Sequence, residues 1–185
     1  MQQAKLFMVL IGCKPAGRNT EQHDVFFGIA PSMKELIPAI EASWPGSGKI
    51  HIDGWREVNN VDDHSINIAP RSGNDPAYSK KLFFLNLGGY KENEFEEFHY
   101  KILLVAVDKG EAIQKAKATA FYKHTGFAGA DSHIDDKYGV DVDDIYEIGD
   151  ILPDPVKNEF SILIEPRTNT AMDKLNLGYY KLSSF

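Results

Sequence analysis

The chain of 185 residues contains one sequence pattern twice, and this repeat limits its fold more than any single motif does. Lys5-Leu6-Phe7 followed by Gly12 recurs 76 positions later as Lys81-Leu82-Phe83 followed by Gly88. A copy of roughly 70–90 residues can fold alone, but its apolar core is thin. We therefore expect the two copies to pack together as a single body with pseudo-two-fold symmetry.

Each copy has the same order of predicted elements. In the first copy, apolar runs at 6–11 and 25–30 predict two strands, and their short connection predicts antiparallel pairing. Ser32-Met33-Lys34-Glu35 is typical of a capping box, in which the Ser hydroxyl accepts a backbone N–H and Glu35 reaches back to the cap. Asp108-Lys109-Gly110-Glu111 has the same character at the matching position of the second copy. The predicted fold class is α+β, with two tandem ββαβ-type repeats and a short C-terminal strand.

The repeat also predicts the organisation of the chain. Copy 1 covers 5–75, copy 2 covers 81–168, and a C-terminal extension covers 169–185. Copy 2 carries an insertion at about 145–159 that is rich in acidic residues and proline, which predicts a loop or a short extra hairpin. Residues 175–181 are similar to 85–91 and predict an added strand at a sheet edge.

Composition excludes several kinds of partner. The net charge of −7 and the pI near 5.3 argue against nucleic-acid binding, which needs a basic face. Cys13 is the only cysteine, so neither an intrachain disulfide nor a thiolate zinc cluster can form. The first apolar run, 6–11, is too short to span a membrane. We expect a cytoplasmic protein with no nucleic-acid or membrane partner.

Four of the six histidines fall in matched pairs, and each lies two residues from a carboxylate. The candidate metal ligands are Glu21, His23, His51, Asp53, Glu97, His99, His133 and Asp135. Residues i and i+2 of an extended segment project to the same face, so each pair presents one imidazole beside one carboxylate. If the two segments of a copy lie together, two imidazoles and two carboxylates converge, which suits Zn²⁺ or another borderline divalent metal.

Two other interpretations fit the same residues. The pairs could form a hydrogen-bonded His–carboxylate network that holds a loop against a strand, or they could contribute to a surface that binds an unidentified protein or small molecule. An enzyme usually keeps one site and lets a duplicate decay, whereas both copies retain the pattern here. The sequence therefore favours a non-enzymatic binding or interaction module built from a duplicated unit. The alternative is a metal-binding protein or a metal-dependent hydrolase.

The chain resembles a bacterial family of unknown function whose domain occurs in one or two copies. The similar residues are the apolar strand ending in Gly12, the motif Glu21-x-His23-Asp24-Val25-x-Phe27, Trp44, and His51-x-Asp53 followed by Val58. Copy 2 is less similar, because Tyr100 replaces Asp24 and Lys101 replaces Val25. The resemblance implies a duplicated bacterial domain, and it brings no assigned reaction, cofactor or ligand.

Overall fold

The computed structural model describes residues 3–72, 79–119, 133–134, 145–168 and 171–185. The chain forms two compact units: unit 1 is Met1–Asp75 with Leu152–Phe185, and unit 2 is Pro76–Ile151. Strands and helices occur in both units, which confirms the predicted α+β class. The predicted copy 2, at 81–168, is defined by sequence similarity. The compact unit that contains most of it ends at Ile151, and the residues after Ile151 belong to unit 1.

The described elements, in chain order, are β1 (Lys5–Cys13), β2 (Gln22–Ala30), α1 (Met33–Ser43), β3 (His51–Glu57), β4 (Asn60–Val61), β5 (His64–Pro70), β6 (Lys81–Tyr90), β7 (Glu97–Ala106), α2 (Lys109–Lys117), β8 (His133–Ile134), β9 (Ile145–Glu147), α3 (Ile148–Ile151), α4 (Asp154–Glu159), β10 (Phe160–Pro166), β11 (Asn176–Lys181) and a 3₁₀ helix (Leu182–Ser184). None of the described helices is long and apolar enough to cross a membrane.

Unit 1 is built on an antiparallel sheet with the strand order β11-β3-β1-β2. One face of β1 carries Phe7, Val9 and Ile11, which are almost fully buried in the core of the unit. Leu36 and Ile40 of α1 pack into the same core, because their spacing places them on one side of the helix. Unit 1 also contains a smaller antiparallel sheet with the order β10-β5-β4. The predicted C-terminal strand is β11, which extends the first sheet at β3.

Unit 2 is built on β6, which pairs with β7 on one side. Two short strands share its other side: β8 pairs with Leu87 and Gly88, and β9 pairs with the segment Phe83–Leu85. Phe83, Leu85 and Leu87 lie in the core of this unit, as Phe7, Val9 and Ile11 do in unit 1. Both units therefore contain two antiparallel strands, a helix, and a later strand that pairs with the first.

The two predicted capping boxes differ in the structure. At α2, Asp108 Oδ1 accepts a hydrogen bond from the Glu111 backbone N–H at 2.9 Å, and Glu111 Oε2 accepts one from Val107 N–H at 2.7 Å. At α1 only part of the predicted box forms. Glu35 reaches back to the cap and accepts a hydrogen bond from the Ser32 hydroxyl, whereas the Ser32 side chain accepts none from the helix backbone.

The insertion at 145–159 is also more ordered than predicted. In place of a loop or hairpin, this segment forms β9 and the short helices α3 and α4. Ile145, Ile148 and the following Leu152 are buried, at 2%, 0% and 4% exposure, so apolar anchors fix the segment. Both prolines follow the last of these anchors, and Pro155 occupies the first turn of α4, where proline is tolerated.

Candidate metal centre

The backbone register of three strands brings the histidines of unit 1 together. Gly12, near the end of the central strand β1, is paired with His23 on β2 and with His51 on β3. Residues directly opposite one another on adjacent strands project to the same face of a sheet. The two imidazoles therefore lie on either side of Gly12, on the face opposite Ile11 and the core that it joins.

The two carboxylates are placed by the ends and irregularities of the same strands. Glu21 immediately precedes β2. Asp53 lies at a β-bulge in β3: Leu10 pairs with Gly54 and Ile11 pairs with Ile52, which leaves Asp53 as the extra residue. Bulges redirect side chains and are frequent beside functional sites. The bulge places the Asp53 carboxylate beside both imidazoles.

Glu21, His23, His51 and Asp53 form one cluster, in which one ligand atom from each residue lies within 4.8 Å of all the others. Oε1 of Glu21 lies 3.2 Å from Nε2 of His23 and 3.3 Å from Nε2 of His51. Asp53 approaches the same two nitrogens with different oxygens, Oδ2 at 3.3 Å from His23 and Oδ1 at 3.2 Å from His51. Each imidazole nitrogen therefore lies between an oxygen of Glu21 and an oxygen of Asp53.

These N···O spacings are close to those between neighbouring ligands of a zinc ion. Zinc bonds of about 2.0–2.2 Å to nitrogen and oxygen place neighbouring ligand atoms about 3.3–3.6 Å apart. The four N···O distances of 3.2–3.3 Å lie at or just below the lower limit of that range. Two imidazoles and two carboxylates are also the donors that borderline divalent metals accept.

His51 is the most buried side chain of the cluster, and Glu21 and His23 are the most exposed. The His51 side chain is only 5% exposed, Asp53 is 24% exposed, and Glu21 and His23 are each 44% exposed. Within the described residues, Nε2 of His51 and Oδ2 of Asp53 are buried and have no hydrogen-bond partner despite the short distances around them. A buried polar atom without a partner costs about 1–3 kcal/mol. A bound cation would supply the missing partner to both atoms.

Tyr179 covers one face of the buried histidine. Its ring stacks on His51 with a centroid distance of 4.4 Å and an interplanar angle of 26°. The pairing of β11 with β3 shifts between Leu177 and Tyr180, and Gly178 in that interval has a φ of +143°. Glycine adopts such a conformation without steric cost, so this second bulge allows Tyr179 to lie against the imidazole.

The corresponding residues of unit 2 are described only in part. Gly88 of β6 is paired with His99 and with His133, so the backbone register around Gly12 occurs again. Nε2 of His99 lies 3.8 Å from Oε2 of Glu97, which is wider than the spacings in unit 1. The side chain of His133 and the whole of Asp135 lie outside the described residues. The predicted second set of four ligands therefore remains a prediction.

Two contributors to the site were missed by sequence reasoning. Gly12 was taken only as the end of a strand, although its recurrence as Gly88 was a signal that a side chain is excluded there. Tyr179 was missed because its contact with His51 depends on a bulge between residues that are distant in sequence. The four residues of the cluster, in contrast, are all among the candidates that the sequence spacing indicates.

Comparisons with known proteins agree with the resemblance seen in the sequence. Residues 18–68, which include all four clustered ligands, match the family described as Domain of Unknown Function (DUF1543). No curated protein matches the chain. A crystal structure of a protein Il1583 from Idiomarina loihiensis is similar with a TM-score of 0.57 and 26% sequence identity, over 97% of each chain. The match confirms the predicted resemblance to a family of unknown function over residues 18–68, whereas the bacterial distribution and copy number remain predictions.

Proposed function

We propose that this chain, whose residues 18–68 match a family of unknown function, is a metal-binding protein with a divalent cation held by Glu21, His23, His51 and Asp53. The observation that carries the proposal is a pair of buried atoms, Nε2 of His51 and Oδ2 of Asp53, that have no hydrogen-bond partner in the part of the chain that the structure describes. A hydrogen-bonded network with a purely structural role would satisfy these atoms, because native proteins rarely leave buried polar groups unpaired. Zn²⁺ fits the donor set and the spacing.

The number of protein ligands favours binding over catalysis. Catalytic zinc sites have three protein ligands and keep the fourth position for water or substrate, whereas four protein ligands complete the tetrahedron. The cluster offers four. The proposed role is therefore a non-enzymatic binding module with a closed metal centre. This role combines the binding module with the metal-binding protein that the sequence left open, and it disfavours a metal-dependent hydrolase.

We extend the proposal to unit 2 as the second copy of a duplicated ββαβ-type unit. Its support is the shared register, in which Gly88 stands between His99 and His133 as Gly12 stands between His23 and His51. The second centre would use Glu97, His99, His133 and Asp135. Tyr90 donates a hydrogen bond to Oε1 of Glu97 at 2.8 Å, so Glu97 is already engaged there and we expect weaker metal binding than in unit 1.

The test is elemental analysis of the full chain, purified without an affinity tag or chelator, together with zinc titration of the metal-free protein by calorimetry. His23→Ala is the informative variant, because this side chain is 44% exposed and its removal should barely affect folding. We expect wild type to bind zinc at unit 1 and His23→Ala to bind it at least ten-fold more weakly there. Gln22→Ala, at the neighbouring position of β2, is the matched control and should bind zinc as wild type does.

Two results would contradict the metal proposal. If the metal-free wild type binds no zinc, manganese, iron or nickel in titration, the metal proposal fails and the cluster is a hydrogen-bonded network. Equal zinc affinity of wild type and His23→Ala would likewise place any bound metal elsewhere in the chain.

A further inference from the structure

A second feature of unit 1 is a cavity that lies beside His51. This cavity of about 510 Å³ is lined by residues that include Glu41, Lys49, His51, Tyr179, Lys181 and Leu182. Small-molecule sites in proteins commonly have volumes of about 300–1,000 Å³. The cavity is thus large enough to hold a small organic ligand.

The charge of the lining differs from that of the chain as a whole. The chain has 27 acidic and 20 basic residues, yet the cavity is lined by two lysines and one glutamate. Lys181 is paired directly with His51 through the backbone of β11 and β3, so its position is fixed by the sheet. Over the part of the chain that is described, neither Lys49 nor Lys181 forms an ion pair with an acidic side chain. Their ammonium groups are available to an anion from solution.

The cavity also has an apolar wall. Tyr179 stacks on His51, and 68% of its surface remains exposed. Leu182 is partly buried and packs against the core of unit 1 from the adjoining 3₁₀ helix. A rigid aromatic surface next to positive charge is a suitable contact for a ligand that is apolar at one end and anionic at the other.

We propose that this cavity binds a small organic anion, with its carboxylate or phosphate between Lys49 and Lys181 and its apolar part against Tyr179. The proposal goes beyond the metal centre and does not depend on it, because none of these three side chains is a metal ligand. A cation at His51 would lie next to the bound anion and would strengthen its binding through charge.

The experiment uses the full chain after treatment with a chelator, at constant ionic strength, and follows backbone amide shifts by NMR. Inorganic phosphate, acetate and phenyl phosphate are the probes, so that the phosphate and carboxylate sources are distinguished. We expect saturable shifts at Lys49, Ile50 and Ser183 with at least one anion, and tighter binding of phenyl phosphate than of inorganic phosphate. Tyr179→Ala should remove the difference between the two phosphates.

The charge requirement is tested with matched double variants. Lys49→Gln/Lys181→Gln should weaken anion binding at least ten-fold, whereas Lys34→Gln/Lys174→Gln, which removes the same charge from exposed positions elsewhere in unit 1, should not. Absence of saturable shifts with every probe overturns the proposal, and so does an equal loss in the two double variants. Zinc titration of the same variants separates the anion proposal from the metal proposal. Absence of anion binding with intact zinc binding overturns only the anion proposal, and absence of zinc binding with intact anion binding overturns only the metal proposal.

Discussion

Nε2 of His51 lies 2.5 Å from the point that a Cβ atom on Gly12 would occupy. Oδ2 of Asp53 lies 2.7 Å from the same point. Both distances are shorter than any contact a real Cβ atom makes, so a side chain at Gly12 would displace the ligands. Glycine at position 12 of β1 therefore leaves the space that the His51 and Asp53 side chains occupy.

The first prediction follows from this contact. Gly12→Ala should weaken zinc binding at unit 1 at least ten-fold, which corresponds to about 1.4 kcal/mol. The added methyl group pushes His51 and Asp53 apart while leaving all four ligands chemically intact. Calorimetric zinc titration of the metal-free variant measures the effect.

Gly149→Ala is the matched control, because the nearest atom to its Cβ position is 3.8 Å away, an ordinary contact. Its zinc affinity should equal that of wild type. If Gly12→Ala also binds zinc with wild-type affinity, the cluster does not form the centre.

The second prediction concerns stoichiometry. If the shared register of Gly12 and Gly88 creates two centres, the metal-free chain should bind two equivalents of zinc, the second more weakly. His23→Ala should remove the tighter equivalent, and His99→Ala should remove the weaker one. A single equivalent that is insensitive to His99→Ala would restrict metal binding to unit 1 and contradict the extension to the second copy.

The four residues of the cluster could be selected from the sequence as candidates because their signal is local. A histidine and a carboxylate two residues apart lie on one face of any extended segment, and duplication showed that the pattern was not accidental. Convergence of the two pairs was not predictable. It depends on β2 and β3 pairing on opposite sides of β1, with Gly12 as their common partner.

Other parts of the prediction depended on contacts that the sequence does not fix. Ser32 and Asp108 begin similar motifs, yet only the Asp108 side chain accepts a backbone N–H of its helix. At 145–159, polar and proline residues predicted a loop, but buried Ile145 and Ile148 determined the structure.

The third prediction concerns the only cysteine. Cys13 is fully buried at the end of β1, and burial together with the negative charge of Glu21 raises the pKa of its thiol above the ordinary value of 9.0. A protonated, inaccessible thiol reacts slowly, since the thiolate is the nucleophile. We expect alkylation by iodoacetamide at pH 8 to be at least ten-fold slower in the native chain than in the chain unfolded with guanidinium. Equal rates would show that the end of β1 is open to solvent.

The fourth prediction is a pH dependence at the start of α2. The Val107 N–H bond and the Lys115 side chain lower the pKa of Glu111 from its ordinary value of 4.5. Because the folded state favours the ionised carboxylate, this group stabilises the fold fully above pH 4.5, and that stabilisation is lost as the pH falls through the lower folded value.

Glu111→Gln should therefore unfold at a slightly lower urea concentration than wild type at pH 7, and the difference should shrink as the pH falls below 4.5. Urea unfolding followed by circular dichroism at several pH values measures both curves. Glu92→Gln removes an acidic group from an exposed position near the end of β6 and serves as the control, with no such convergence expected. A constant difference between Glu111→Gln and wild type down to pH 2 would show that Glu111 acts through packing and that its charge contributes nothing to the cap.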